Sequence, residues 1–307
     1  TTGSGGKPLL RFVERLLLGL CLLVTNSLAE PLIVIVGYDG LSPRGIREAN
    51  TPTFDWLMRT GAYTMKARAV MPTSSSSNWA SMIMGVGPEQ HGVTSNDWQP
   101  DKFTIAPAVP GPAGFSETMF SVIRRQYGPQ AVIGVFHDWK DFGRLVEPEV
   151  PDLKEHAEGP EATMAQAIAF LKGHKPTLLF IHLDHIDHAG HDHGWHTSQY
   201  NAAVELADRL TNDLVKAVMQ AGRMEETTFV LTADHGGTGK KHGGESMDEL
   251  LIPWIANGPQ VARGREIAEP VNVYDTACFV LDAYFLPRGG SRMQPSHWIC
   301  KTPRAFQ

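Results

Sequence analysis

The amino-acid sequence predicts a doubly wound α/β fold, a mostly parallel sheet with helices on both faces. Two observations carry this expectation. Short, continuous apolar runs rich in β-branched residues recur along the chain, as strands buried on both faces of a parallel sheet require. Between them lie segments with apolar residues at helical spacing, so that strand and helix alternate from residue 31 onward.

Pro31 to Val36 is the first apolar run, and it ends in the loop Gly37-Tyr38-Asp39-Gly40. Thr51 followed by Pro52 marks a capped helix with proline in its first turn, continuing through Leu57. Thr73 to Ser77 is a polar run leading into a helix over 79–84. Residues 116–127 read as a helix, 131–136 as a second strand, 161–171 as a helix and 177–181 as a third strand. Over 198–220, Val204, Leu206, Leu210, Leu214 and Val218 keep helical spacing. Residues 228–232 and 251–256 are the fourth and fifth strands, and 275–284 a last helix. Asp97 to Gly114 is rich in Pro and Gly and reads as a surface excursion. Residues 137–158 are charged and aperiodic, the pattern of an insertion or lid beside a site. Residues 30–307 are therefore expected as a single domain.

The 307 residues are 42% hydrophobic and 20% charged, enough for one large core. A net charge of −6 argues against binding to nucleic-acid duplexes, which needs a basic face. Residues 1–29 read as a lead followed by a secretory signal. Lys7, Arg11 and Arg15 precede the apolar run Leu16 to Val24, and Ser27-Leu28-Ala29 offers small residues for cleavage after Ala29. The expected location is periplasmic or secreted, with no stable membrane span after cleavage, or with an N-terminal anchor if the signal is retained. Cys21 would leave with the signal. Cys278 and Cys300 could pair in an oxidising compartment, or Cys278 could be a buried free thiol in its apolar helix.

Chemistry gathers at the strand ends. Asp39 follows the first strand, Asp187 and His191 the third, and Asp234 and His235 the fourth, with His242 soon after. Ligands of open α/β sheets bind at the carboxyl ends of strands, so all six fall on one rim. Three carboxylates and three imidazoles are too many for one catalytic metal that keeps an open position. They suit two ions about 4 Å apart. Ser75, on the loop entering the next helix, supplies a hydroxyl that a divalent ion and a helix N-terminus would activate. His182, His185, His188 and His193 read as supporting or surface residues.

These residues resemble the alkaline phosphatase superfamily, most closely its nucleotide pyrophosphatase/phosphodiesterase branch, the type I phosphodiesterases. The likeness rests on Tyr38-Asp39-Gly40, Asn50 to Leu57, Met71 to Trp79, Gly87-Pro-Glu-Gln-His-Gly92, Asp187-His-Ala-Gly-His191, Ala233-Asp-His-Gly236, His242-Gly243, Ile252-Pro253, Asn257-Gly-Pro259 and Tyr274-Asp275. The resemblance implies an alkaline phosphatase-like fold. It also implies one metal held by Asp187, His191 and His242, and a second held by Asp39, Asp234 and His235 with Ser75. Counting back three residues from Asn78 gives Ser75 as nucleophile, and Asn78 would donate to a phosphoryl oxygen. Serine stands where eukaryotic relatives commonly carry threonine, and no proline precedes Asn78, so the nucleophile stays open among Thr73 to Ser76. Zinc is the ion such a His-rich set favours, with manganese the main rival.

The implied activity is hydrolysis of phosphoric esters through a phosphoseryl intermediate, with a small-molecule phosphate ester or nucleotide as substrate. No Cys/Ser-x-Pro-x-Arg motif of the sulfatases is present. Diesters are favoured by the branch resembled, and a phosphomonoesterase is the rival reading. A non-catalytic metal-binding relative is the third. A monoesterase must neutralise an extra negative charge, and a diesterase must house a second ester group. The segment His137 to Arg144 offers both, with Lys140 and Arg144 as clamps and Trp139 and Phe142 as pocket walls.

Overall fold

The computed structural model describes residues 1–2 and 31–285. The proposed signal segment and Cys300 lie outside the described residues. Among the described residues, eight strands make one sheet: β1 (Leu32–Tyr38), β2 (Ala62–Arg68), β3 (Ile133–His137), β4 (Leu153–His156), β5 (Leu178–Leu183), β6 (Thr227–Ala233), β7 (Leu251–Asn257) and β8 (Arg265–Glu266). Their order is β4-β3-β5-β1-β6-β7-β2-β8. Pairing is parallel from β4 through β6, antiparallel on both sides of β7, and parallel again between β2 and β8. The sheet is thus mostly parallel, as expected, with β7 reversed.

The described helices are α1 (Pro43–Glu48), α2 (Pro52–Thr60), α3 (Ser75–Met84), α4 (Pro88–His91), α5 (Met119–Tyr127), α6 (Pro160–His174), α7 (His185–His193), α8 (Ser198–Gln220), α9 (Met247–Leu250) and α10 (Asp275–Phe285). None is long and apolar enough to cross a membrane.

Consecutive residues of β1 show that both faces are covered. Side chains alternate along a strand, so Gly37 and Tyr38 point to opposite faces. A Cβ on Gly37 would meet the Trp79 ring of α3, whereas Tyr38 packs on Phe54 of α2 and bonds Thr211 of α8. The central strands β1, β5 and β6 are buried at every position, which explains their unbroken apolar runs.

Three local features depart from the expectations. Thr51 precedes Pro52 but makes no side-chain cap to α2; the Asp208 carboxylate of α8 instead accepts from Thr53 N–H and Phe54 N–H at 3.2 and 2.8 Å. The cap is supplied across the fold, and it ties α2 to α8. Ser75 lies inside α3 rather than on a preceding loop, because Ser74, extended, takes the N-cap position. The segment 137–158 contains a 3-10 turn over Lys140–Leu145 and the edge strand β4, which pairs in parallel with β3.

Gly37 gives a stability test. A Cβ there would come within 2.5 Å of two Trp79 ring atoms. We expect Gly37→Ala to lower unfolding free energy by about 1–3 kcal/mol in urea titrations. Wild-type stability would show that the ring is free to shift.

Candidate metal centre and active site

Three neighbouring strands, β5, β1 and β6, aim the chemistry at one rim. Asp39 follows β1, and its N–H still donates to Leu183 O of β5 at 2.9 Å. Asp234 and His235 follow β6 directly. Asp187 and His191 stand four residues apart in α7, on one helix face, just beyond β5. His242 arrives from the loop after β6, where its Nδ1 bonds Thr73 O at 2.8 Å.

The loop after β1 is clamped hard. Gly40 has φ of +71°, and a Cβ there would lie 2.9 Å from Asp187 Cα, so glycine lets the two ligand-bearing segments touch. Trp195 Nε1 and the Tyr200 hydroxyl both donate to Gly40 O, at 2.9 and 2.8 Å.

His235 Nε2 is the hub. It lies 3.3 Å from Asp39 Oδ1, 3.2 Å from Asp234 Oδ2 and 3.3 Å from Ser75 Oγ. Donors around a tetrahedral zinc at about 2.0–2.2 Å stand about 3.3–3.6 Å apart, so this spacing fits an ion. Asp187 lies alongside, with Oδ2 3.3 Å from His191 Nε2 and Oδ1 3.7 Å from His242 Nε2. Asp187, His235 and His242 form a second group able to hold an ion, and the His235 and His242 rings stack at 3.7 Å. Asp184 joins Asp39 and Asp187 in a third grouping that the sequence did not suggest.

Asp39 Oδ1, Asp187 Oδ1 and Asp234 Oδ2 are buried and have no hydrogen-bond partner. Buried carboxylate oxygens are rarely left so, and a divalent cation is a partner that would satisfy them. The second ring nitrogens are already engaged, His235 Nδ1 by Gly236 O at 2.7 Å and His191 Nδ1 by Lys240 O at 2.9 Å. That turns Nε2 of each toward the carboxylates, the orientation that a ligand of an ion would need.

Electrostatics follow from burial. Desolvation, then the Asp187 charge, pushes Asp39 up to about 6. Desolvation and the Asp39 and Asp187 charges push Asp234 well above the usual carboxylate range. Burial also opposes charge on Asp187, but the His191 hydrogen bond and the nearby imidazoles outweigh it and hold this carboxyl low. Desolvation takes His235 down to about 3, whereas the Asp187 hydrogen bond lifts His191 to about 9.

Of the four candidate hydroxyls, Ser75 Oγ is the one that reaches the ligand cluster. Thr73 Oγ1 donates to Gly244 O, Ser74 Oγ pairs with Ser77 Oγ, and Ser76 Oγ faces Arg144. Asn78 is corrected. It is fully buried, its Oδ1 accepts from Val70 N–H, and its Nδ2 donates to Pro72 O and Ser74 O. Its amide braces the loop and has nothing left for substrate. Asn96, missed in the sequence, takes the exposed position: its Oδ1 accepts from Ser76 N–H at 2.8 Å, which orients the carboxamide beside the start of α3.

The other expected pocket residues divide. Phe142 is corrected too: it is fully buried, stacked on Phe180 at 5.3 Å and set against Trp79 and His182, because its ring completes the apolar layer under the site. Lys140 is exposed. Trp139 is half-buried with Arg144 above its ring. His182, expected as a supporting or surface residue, is fully buried behind Asp39. It stands 3.4 Å from both Asp39 Oδ2 and Asp138 Oδ1, and Trp79 Nε1 donates to the same Asp39 oxygen at 2.9 Å. Cys278 is disulfide-bonded.

Protons should compete with metal at this rim. Asp39 takes up a proton as pH falls through about 6, and His191 must shed one below about 9. Calorimetric zinc titration near neutral pH, in buffers of different ionisation enthalpy, should show net proton release, and affinity should weaken as pH falls below about 9 and more steeply below about 6. Flat affinity across that range would contradict the ligand assignment.

A family model described as type I phosphodiesterase / nucleotide pyrophosphatase matches residues 33–111 and 114–255. Ectonucleotide pyrophosphatase/phosphodiesterase family member 1 of Mus musculus is 24% identical over 202 residues, covering 62% of this chain and 22% of its own length. The venom phosphodiesterase of Macrovipera lebetinus is 21% identical over 201 residues, covering 60% and 23%. The chain thus spans less than a quarter of the length of these two relatives. Murine ectonucleotide pyrophosphatase / phosphodiesterase 5, solved in an inactive form in complex with AMP, superposes with a TM-score of 0.71 at 14% identity, over 86% of this chain and 96% of that one. A 2-O GAG sulfatase superposes at 0.67 and 17% identity, over 88% and 72%. Both likenesses show the shared fold.

Proposed function

The chain belongs to the type I phosphodiesterase / nucleotide pyrophosphatase family, and from that premise we propose that it is a metal-dependent phosphoric-ester hydrolase whose nucleophile is Ser75. Its substrates are phosphodiesters or nucleotide pyrophosphate bonds. The observation that carries the reading is Ser75 Oγ, 3.3 Å from His235 Nε2 in the group that includes Asp39 and Asp234. Asp39, Asp234 and His235 with Ser75 would hold one divalent ion, and Asp187, His191 and His242 the other. When bound, such ions supply Lewis-acid charge that favours the serine alkoxide and stabilises the leaving oxygen. Zinc suits the imidazole–carboxylate set, with manganese as the alternative.

The residues of the chain account for the rest. Ser75 Oγ gives up its proton to solvent water and attacks phosphorus in line. The new Oγ–P bond forms as the P–O bond to the leaving group breaks, and the departing oxygen takes a proton from water. A water molecule then cleaves the Oγ–P bond, restoring Ser75 and releasing the phosphate product. Ser75 opens the ten-residue helix α3, so the helix N-terminus faces the phosphoryl oxygens. Asn96, oriented by Ser76 N–H, offers amide hydrogens to the same charge. A second reading, a phosphomonoesterase, is favoured by one observation, the Arg144 guanidinium beside Ser76. The N-terminal pattern supports an exported, periplasmic or secreted protein.

Ser75→Ala tests the nucleophile. We expect zinc content to be kept and turnover of an aryl phosphodiester to fall by at least about a thousandfold. Brief acid quench of the wild type with a phosphorus-labelled substrate should trap label on Ser75. Near-normal turnover in the variant would move the nucleophile elsewhere.

A further inference from the structure

We propose that Arg144 is a phosphoryl-oxygen ligand that fits the site to dianionic groups, so that phosphomonoesters are hydrolysed beside diesters. The inference rests on Ser75 as nucleophile. Arg144 comes from the 3-10 turn just after β3. Its Nη2 lies 3.3 Å from the hydroxyl of Ser76, the residue next to Ser75, and donates to Asn96 O. Nη1 lies 3.2 Å from Asp141 Oδ2, and the guanidinium carbon sits 6.0 Å from the Trp139 ring centre. The side chain is only 12% exposed, and its buried Nε–H has no partner.

The guanidinium is therefore fixed in place yet incompletely neutralised. Asp141 is 51% exposed, and an ion pair with so solvated a carboxylate is weak compensation. A phosphoryl group on Ser75 would stand next to the Asp39–Asp234–His235 cluster, through Ser75 Oγ, and next to the Ser76–Asn96–Arg144 group, through the adjacent residue. A diester carries one negative charge, which the metal side can balance. A monoester carries a second, on oxygens that turn away from the carboxylates. The planar fork of arginine matches two such oxygens, whereas a diester presents an alkylated oxygen there and leaves the charge unused.

Zinc-loaded wild type, Arg144→Ala and Arg144→Lys are compared on an aryl phosphate monoester and an aryl methyl phosphate diester with the same leaving group. We expect wild type to turn over both. In Arg144→Ala the monoester kcat/KM should fall about 30-fold or more beyond any fall for the diester, as loss of a charge-assisted hydrogen bond predicts. Lysine, a point charge, should restore part of the ratio. Calorimetric binding of inorganic phosphate to the zinc-loaded protein should weaken at least about tenfold in Arg144→Ala.

Equal falls on both esters, an unchanged ratio, or a wild type active on the diester alone would overturn the assignment. A wild type inactive on both esters would instead sink the Ser75 reading, and the phosphate titration would still decide Arg144. Should Arg144→Ala fail to fold, Arg144→Lys and Arg144→Gln carry the same comparison.

Discussion

Three carboxylates, Asp39, Asp187 and Asp234, are held together almost out of water at the ends of three adjacent strands. Their mutual repulsion is the constraint around which the rest of the molecule is arranged. Burial out of water, and after it the neighbouring like charges, raise proton affinity, and Asp39 and Asp234 both shift upward for these reasons. Only compensating positive charge lets them stay ionised together. Imidazoles supply part of it to Asp187. Cations, as proposed, would meet the oxygens that remain unpartnered.

Such an arrangement persists only on a rigid frame. Trp79 serves twice, filling the space above Gly37 and donating to Asp39. Trp195 and Tyr200 converge on Gly40 O, and the Tyr200 hydroxyl also accepts from Ser42 N–H. Thr73 ties the serine loop to the His242 loop: its hydroxyl bonds Gly244 O and Gly243 N–H while its carbonyl meets His242. The serine loop and the carboxylate–imidazole cluster therefore share one scaffold, the preorganisation that the proposed chemistry needs.

The parts legible in the sequence were those with a strong local signal. The runs ending at Asp39 and before Asp234 are buried on both faces, so their apolar character marks both the strand and the loop that follows. Asp187 and His191 stand four apart, and the helix makes them neighbours. The unread strands lack that signal. β2 reads AYTMKAR with alternating burial and a register shift, and β4 reads LKEH at the sheet edge, half in water. Side-chain direction was equally hidden. Asn78 and Asn96 are chemically identical, and only the fold decides which amide braces backbone and which meets solvent. Phe142 and Trp139 stand three residues apart, yet one completes the core and the other lies under Arg144. His182 ends among carboxylates because β5 is central and its partner Asp138 comes from the neighbouring β3 end.

The proposed function requires that divalent cations complete the carboxylate cluster. Anomalous diffraction at the zinc edge, from crystals grown with zinc, addresses it most directly. The account requires two peaks about 4 Å apart, one bounded by Asp39, Asp234, His235 and Ser75, the other by Asp187, His191 and His242. Peaks elsewhere on the surface, with this rim empty of metal at saturating zinc, would contradict it.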